Sequence, residues 1–181
     1  MRDRAFIEGD NIYLRILSSK DINENYIHWF DDEKVCQANS HHRFPYTEEA
    51  IKDYIDSVNS SDKQLVLAII DKENNIHLGN VSLQNINYIN RSAEFAIIIG
   101  EKGFWGKNVG KECAKLIINH GFMELNLNRI YCGTIEGNKG MLGLAESLGF
   151  KKEGIRRKAE FKKGTYLDVL EFGLLKDEWK K

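Results

Sequence analysis

Apolar residues along this chain recur with two different periods, and the switch between them marks the elements. Residues 11–17 (NIYLRIL) alternate and read as a strand. Ile22, Tyr26, Trp29 and Phe30 recur at helical spacing. After Thr47, a residue type that caps helix N-termini, Ile51, Tyr54, Ile55 and Val58 form a second helical stripe. Three strand-like runs follow at 64–70 (QLVLAII), 76–86 (IHLGNVSLQNI) and 92–99 (SAEFAIII), the first two separated by the turn-forming DKENN. They are close enough for an antiparallel meander. Ala114, Ile117, Ile118, Gly121, Phe122 and Leu125 then predict a helix over 110–124, and RIYCGTI (129–135) a strand. The next helix is bracketed by Asn138 as N-cap and Gly149 just past its end, with Met141, Leu144, Ala145 and Leu148 as its apolar stripe. A hairpin turning near Lys163-Gly164 closes the chain.

Strands, then strand–helix–strand–helix, then a hairpin make a mixed α/β sheet. The unit 92–99, 110–124, 129–135 is a parallel crossover, right-handed by rule. Its connecting loop runs from a strand end into a helix N-terminus, the place where α/β sheets bind ligands. That loop reads EKGFWGKNVGKE. Glycines before a helix let the backbone approach a ligand, and the free N–H groups of the first turn favour an anion, so the loop suits a phosphate or pyrophosphate. A tight structural connection is the other reading. A nucleotide P-loop is excluded by spacing: its first glycine would fall on Trp105, and Glu112 stands where the metal-binding hydroxyl belongs. The glycine spacing of a dinucleotide fingerprint fails as well.

Composition narrows the classes further. With 181 residues, 42% hydrophobic and 29% charged, the chain reads as one globular domain, 1–181, that needs no disulfide or metal for stability. A formal net charge of −1 supplies no basic field for a nucleic-acid backbone. Three widely spaced cysteines, Cys36, Cys113 and Cys132, suit reduced thiols and a cytoplasmic location. The start, MRDRAFIEGDN, carries no apolar run after its charges, and no stretch reaches membrane-spanning length. His41-His42 with Cys36 lacks a fourth ligand at metal-site spacing, so no metal is expected.

WGKNVG (105–110) resembles the cofactor loop of the GNAT superfamily of N-acetyltransferases, which reads Q/R-x-x-G-x-G/A. Trp105 stands where Gln or Arg is usual, and Asn108 where the middle glycine is usual. Asparagine tolerates left-handed backbone better than most residues, so the loop shape can survive. Residues 90–154 follow the order of elements of the superfamily, most like the branch of ribosomal-protein N-terminal and spermidine N-acetyltransferases, and ESLGF is similar to that branch's helix ending. GDNIYLRIL and WFDDEKVCQ…RFPYTEE resemble its N-terminal portion. The resemblance implies a mostly antiparallel sheet of about seven strands flanked by helices, with a parallel pair at the cofactor cleft. It implies acetyl-CoA as co-substrate, held by the backbone of Ile97, Ile98 and Ile99 and by Trp105, Gly106, Lys107, Asn108, Val109, Gly110 and Lys111. Asn138 is either a further cofactor contact or an N-cap alone.

The reaction such a fold implies is transfer of acetyl to a primary amine: an amino sugar, a polyamine or a protein N-terminus. Near pH 7 a lysine-type amine is protonated, a handicap of about 4–5 kcal/mol. A carboxylate beside the thioester could remove that proton, and Glu94, flanked by apolar residues on the strand before the loop, is the candidate. The alternative is an exposed strand glutamate paired with Arg91 or a lysine. The residues that supply a leaving-group acid in many family members are missing: Ala145 and Met141 occupy those positions. For the acceptor, Trp29, His41, Arg43, Phe44 and Tyr46 come from the segment that often covers that site in the family; the alternative is a loop packed by its own side chains. The partners expected are a small-molecule amine or a peptide N-terminus and, as an open option, a second copy in a homodimer, with neither nucleic acid nor membrane. A member that binds acetyl-CoA as a sensor without turnover is the rival reading.

Overall fold

The computed structural model describes residues 4–180; the first three residues of the MRDRAFIEGDN stretch and Lys181 lie outside it. Its strands are β1 (Ile7–Glu8), β2 (Ile12–Ile16), β3 (Leu65–Asp71), β4 (His77–Asn87), β5 (Ser92–Ile99), β6 (Arg129–Ile135), β7 (Lys151–Lys162) and β8 (Thr165–Leu175). The helices are α1 (Glu24–Asp31), α2 (Glu48–Asn59), α3 (Val109–Met123) and α4 (Lys139–Ser147). The eight strands form one sheet in the order β1-β2-β3-β4-β5-β6-β8-β7. Every neighbouring pair is antiparallel except β5–β6, which is parallel.

Alternation along the strands divides the interior into two cores. Ile12 and Leu14 join Phe95, Ile130, Cys132 and Phe172 under α3 and α4. Tyr13, between them, faces the other way and packs with Val66, Ala68 and Ile70 under α1 and α2. A period-two strand between two helical layers must have this pattern.

Local signals set most boundaries. Asn23, Thr47 and Asn138 cap α1, α2 and α4 by accepting from Tyr26 N–H at 2.9 Å, Ala50 N–H at 3.2 Å and Met141 N–H at 3.1 Å. Gly149, with φ +85°, ends α4. Lys163 and Gly164 both have positive φ, as a two-residue hairpin turn requires. The expected mostly antiparallel sheet of about seven strands with one parallel pair is present, and it gains an eighth strand, β1, which is only two residues long and carries no periodicity to read. The helix placed at 110–124 runs from Val109 to Met123, because the left-handed residue that starts it is Asn108 and Val109 is already buried in the core.

Candidate active site

The cleft begins where the sheet divides. β5 and β6 are paired only over Ser92–Arg129, Ala93–Ile130 and Glu94–Tyr131. Beyond Glu94, β5 continues to Ile99 bonded to β4 alone, and β6 continues to Ile135 bonded to β8 alone. Backbone N–H and C=O groups along the inner edges of this gap have no ladder partner and must meet solvent or a ligand. Ile97, Ile98 and Ile99 remain partly exposed although they lie in a central strand.

Glu94 sits on the last paired rung, at the apex of the gap. Ala93 and Phe95 are buried under α3 and α4, so the Glu94 side chain projects from the opposite face, the one that α1 and α2 cover. Opposite it, β4 carries an irregularity between Gln84 and Asn87, with Asn85 in left-handed conformation. That bulge turns the Asn85 side chain so that Nδ2 donates to Glu94 Oε2 at 2.9 Å. Bulges commonly re-aim a side chain beside a site in this way. Arg91 donates instead to the Asn126 carbonyl and side-chain oxygens at 2.7 and 2.8 Å. Among the described residues Glu94 makes no ion pair with Arg91 or a lysine. The Asn85 contact was not legible in the sequence, since nothing in QNIN announces a bulge.

At the far end of β5 the loop turns on Gly106 (φ +76°) and Asn108 (φ +62°) and enters α3. The Asn108 side chain makes no cap bond. Glu112 N–H bonds the Asn108 carbonyl at 2.9 Å, so the N–H groups of Val109, Gly110 and Lys111 have no intrahelical acceptor. A Cβ added to Gly110 would meet nothing nearer than the Ile97 Cδ1 at 3.9 Å. Packing makes no demand for glycine there; open space in front of a helix N-terminus beside β5 suits a ligand. Trp105 takes the role of strand terminator: its Nε1 donates to the Ile99 carbonyl at 2.9 Å while the ring stays 42% exposed. Lys107 lies over the Phe104 ring at 4.9 Å.

A carboxylate in the first turn of α3 would repel an anion, but Glu112 is turned away. It accepts from Asn11 N–H at 2.8 Å, Asn11 Nδ2 at 2.9 Å and Ile12 N–H at 3.2 Å. Burial works to raise its pKa, and these bonds outweigh that and hold it below the ordinary value.

On α4 both ends of the Asn138 amide make a hydrogen bond within the protein. Its Oδ1 caps Met141 N–H, and its Nδ2 donates to Thr134 Oγ1 at 2.9 Å. Ala145 is 1% exposed in the core and Met141 packs against it, so α4 offers no proton donor from the two positions where the family pattern would place one.

Of the five residues expected near the acceptor, Trp29, His41 and Tyr46 join the aromatic cluster around Phe30 under α1 and α2, and Arg43 and Phe44 lie outside it. Trp29 is 4% exposed, donates to Glu101 Oε1 at 3.1 Å, and packs so tightly on Gly100 that a Cβ there would overlap its ring. It therefore sits at the end of β5, six residues or about 20 Å along the strand from Glu94. His41 Nδ1 and the Tyr46 hydroxyl are 2.9 Å apart, and both rings pack on Phe30. Arg43 pairs with Glu160 and donates to the Phe161 carbonyl at 3.0 Å. With Lys162 donating to the Cys36 and Asn39 carbonyls, it ties the α1–α2 connection to the β7–β8 hairpin. Phe44 is 81% exposed.

A family model described as an acetyltransferase (GNAT) domain matches residues 11–151. The chain belongs to the GNAT acetyltransferase family. It is therefore an N-acetyltransferase with acetyl-CoA as co-substrate. This acetyltransferase is 31% identical over 174 residues to an uncharacterized N-acetyltransferase, p20, of Bacillus licheniformis, covering 94% of this chain and 96% of the relative. It is 30% identical over 177 residues to a spermidine N(1)-acetyltransferase of Vibrio cholerae, covering 97% and 93%. Among solved structures, a probable acetyltransferase aligns at TM-score 0.82 and 25% identity over 94% of this chain and 96% of that one. The Vibrio cholerae spermidine N-acetyltransferase in complex with CoA and spermine aligns at TM-score 0.85 and 24% identity over 93% and 97%, a likeness of fold. Among the described residues no helix of this acetyltransferase is long and apolar enough to cross a membrane.

Proposed function

We propose that this protein transfers acetyl from acetyl-CoA directly to the primary amine of a small molecule, with Glu94 as the base. The observation that carries the proposal is the parting of β5 from β6 at the Glu94 rung. In this reading the CoA pyrophosphate rests on the N–H groups of Val109, Gly110 and Lys111, and the pantetheine arm lies in the gap. Lengths agree: the arm has about a dozen bonds from phosphate to sulfur, equal to four residues of extended chain or about 14 Å. Five residue steps along β5 from Ile99 to Glu94 span about 16 Å. The thioester then lies beside Glu94.

The amine approaches from the face of α1 and α2, where Glu94 projects. The ammonium first loses one proton through Glu94 to solvent; the neutral amine then attacks the thioester carbonyl while Glu94 takes the second proton from nitrogen, and an unpaired β5 N–H stabilises the oxyanion, a contact that contributes about 2.7–4 kcal/mol in comparable sites. Collapse expels the CoA thiolate. Relatives named for spermidine acetylation support a polyamine as the first acceptor to test, ahead of an amino sugar or a peptide N-terminus. A cytoplasmic location, where acetyl-CoA is made and used, suits the same reading.

The test is CoA release with spermidine, glucosamine and a short peptide, alongside the shift of Tm with acetyl-CoA. Release with one of these amines is expected. A Tm shift without turnover would instead favour an acetyl-CoA sensor. Glu94→Gln should lower kcat about a hundredfold or more, with the Kd for acetyl-CoA changed less than about twofold. Unchanged turnover removes Glu94 from the mechanism.

A further inference from the structure

The leaving CoA thiolate needs a proton, and α4 supplies no donor from Met141 or Ala145. Tyr131 is the other half of the last β5–β6 rung, paired directly with Glu94. Its neighbours Ile130 and Cys132 are buried under α3 and α4, so its phenol projects from the same face as the Glu94 carboxylate. Next along that face of β6 is Gly133, exposed, where the Glu171, Val169 and Arg156 side chains from β8 and β7 close over the missing Cβ at 3.0–3.4 Å. The charged groups around Tyr131 are Glu94, Arg129 and Glu171. Arg129 lies over its ring at 5.9 Å and is engaged in a two-point pair with Glu153. Glu171 is held by Arg156 Nε at 2.5 Å. Among the described residues no group accepts a hydrogen bond from the Tyr131 hydroxyl, so its proton is uncommitted.

We propose that Tyr131 is the general acid of acetyl transfer, donating its phenolic proton to the CoA sulfur as the carbon–sulfur bond breaks. The assignment rests on reading the gap as the acetyl-CoA site. The neutral amine forms the new C–N bond, the C–S electron pair moves to sulfur, and the Tyr131 proton forms the S–H bond of free CoA. Glu94 has taken one proton from the amine nitrogen, and passes it to the tyrosinate directly or through a water, so both groups end as they began. Burial and the Glu94 carboxylate raise the phenol pKa against the opposing effect of Arg129, which keeps the proton on oxygen at neutral pH.

The test compares wild type, Tyr131→Phe and a protein carrying 3-fluorotyrosine at position 131, all with acetyl-CoA and the accepted amine. A thiol is a fair leaving group unaided, so Tyr131→Phe should lower kcat about 10- to 100-fold, at or below the roughly hundredfold low end of general acid catalysis, with the acetyl-CoA Kd within about twofold of wild type. The fluorotyrosine protein should recover most of the rate and lose activity at a lower pH than wild type, because its phenol is more acidic. A Tyr131→Phe protein with wild-type kcat overturns the assignment. So does a fluorotyrosine protein whose alkaline limb stays in place, since that pattern belongs to a packing role. In either case an active wild type leaves the proposed function standing. A wild type that binds acetyl-CoA but acetylates no amine overturns both.

Discussion

Asn108 holds the proposed cofactor loop in a conformation that most residues resist, which makes it the sharpest place to perturb the proposed site without touching its chemistry. Its backbone is left-handed (φ +62°, ψ +2°), and its side chain makes no cap bond to α3. The asparagine is thus there for its backbone, and the physics is that of a single αL residue. An ordinary L-residue with a Cβ pays roughly 1–2 kcal/mol in this region, and asparagine less. Asn108→Ala should therefore cost about 1 kcal/mol. For a chain of this size that is a Tm decrease of about 2–4 °C. If the loop relaxes in the free protein and must be re-formed around the pyrophosphate, the same 1 kcal/mol appears as about a fivefold weaker acetyl-CoA Kd. Asn108→Gly removes the strain and should bind within about twofold of wild type. The assay is calorimetric titration with acetyl-CoA together with thermal unfolding of the free and bound protein. An alanine variant as stable and as tight as wild type would refute the strain argument. A glycine variant that binds tenfold more weakly would show that the asparagine amide itself touches the cofactor.

Two further outcomes follow from the same geometry. Glu112→Gln should destabilise the fold by about 1 kcal/mol, below the roughly 1.5–3 kcal/mol of hydrogen bonds to a charged group, because the carboxylate is only partly buried and solvent screens it. Since its pKa is lowered on folding from an ordinary 4.5, the stability difference between wild type and variant should be constant at neutral pH and shrink as pH falls below about 4.5; denaturant midpoints between pH 7 and pH 3 check it. Gly100→Ala should lower stability by about 1–3 kcal/mol, since the new methyl overlaps the Trp29 ring, and wild-type denaturant stability would contradict that packing.

Much of the framework was legible because its signals are local. Thr47 and Asn138 are caps, Gly149 is a helix terminator and Lys163-Gly164 a hairpin turn, and each acts through hydrogen bonds or dihedral preferences within a few residues. The strand at 92–99 and that at 129–135 match β5 and β6, because an uninterrupted apolar or alternating run needs only its own residues to be seen. Asn108 illustrates a departure from pattern that its own chemistry explains: asparagine replaces glycine where φ is positive.

The site itself was only half visible. Sequence singled out Glu94 and the loop of the proposed site, but not the Asn85 bond that orients Glu94, nor the pairing of Tyr131 with it on the neighbouring strand. These are contacts between strands, fixed by register and by a bulge, and register is set by how whole faces bury rather than by any short motif. The same holds for Trp29, Arg43 and Glu112. Their residue types announced no partner, and the fold set Trp29 on Gly100, Arg43 on Glu160 and Glu112 on Asn11. The sequence by itself determined most of the elements and their order, since these rest on periodicity and local capping, and it pointed to the family through the resemblance of the 105–110 loop and its surroundings. Only the tertiary structure decided where the sheet parts and which side chains share the apex of the gap, because both depend on pairings between residues nearly 40 positions apart.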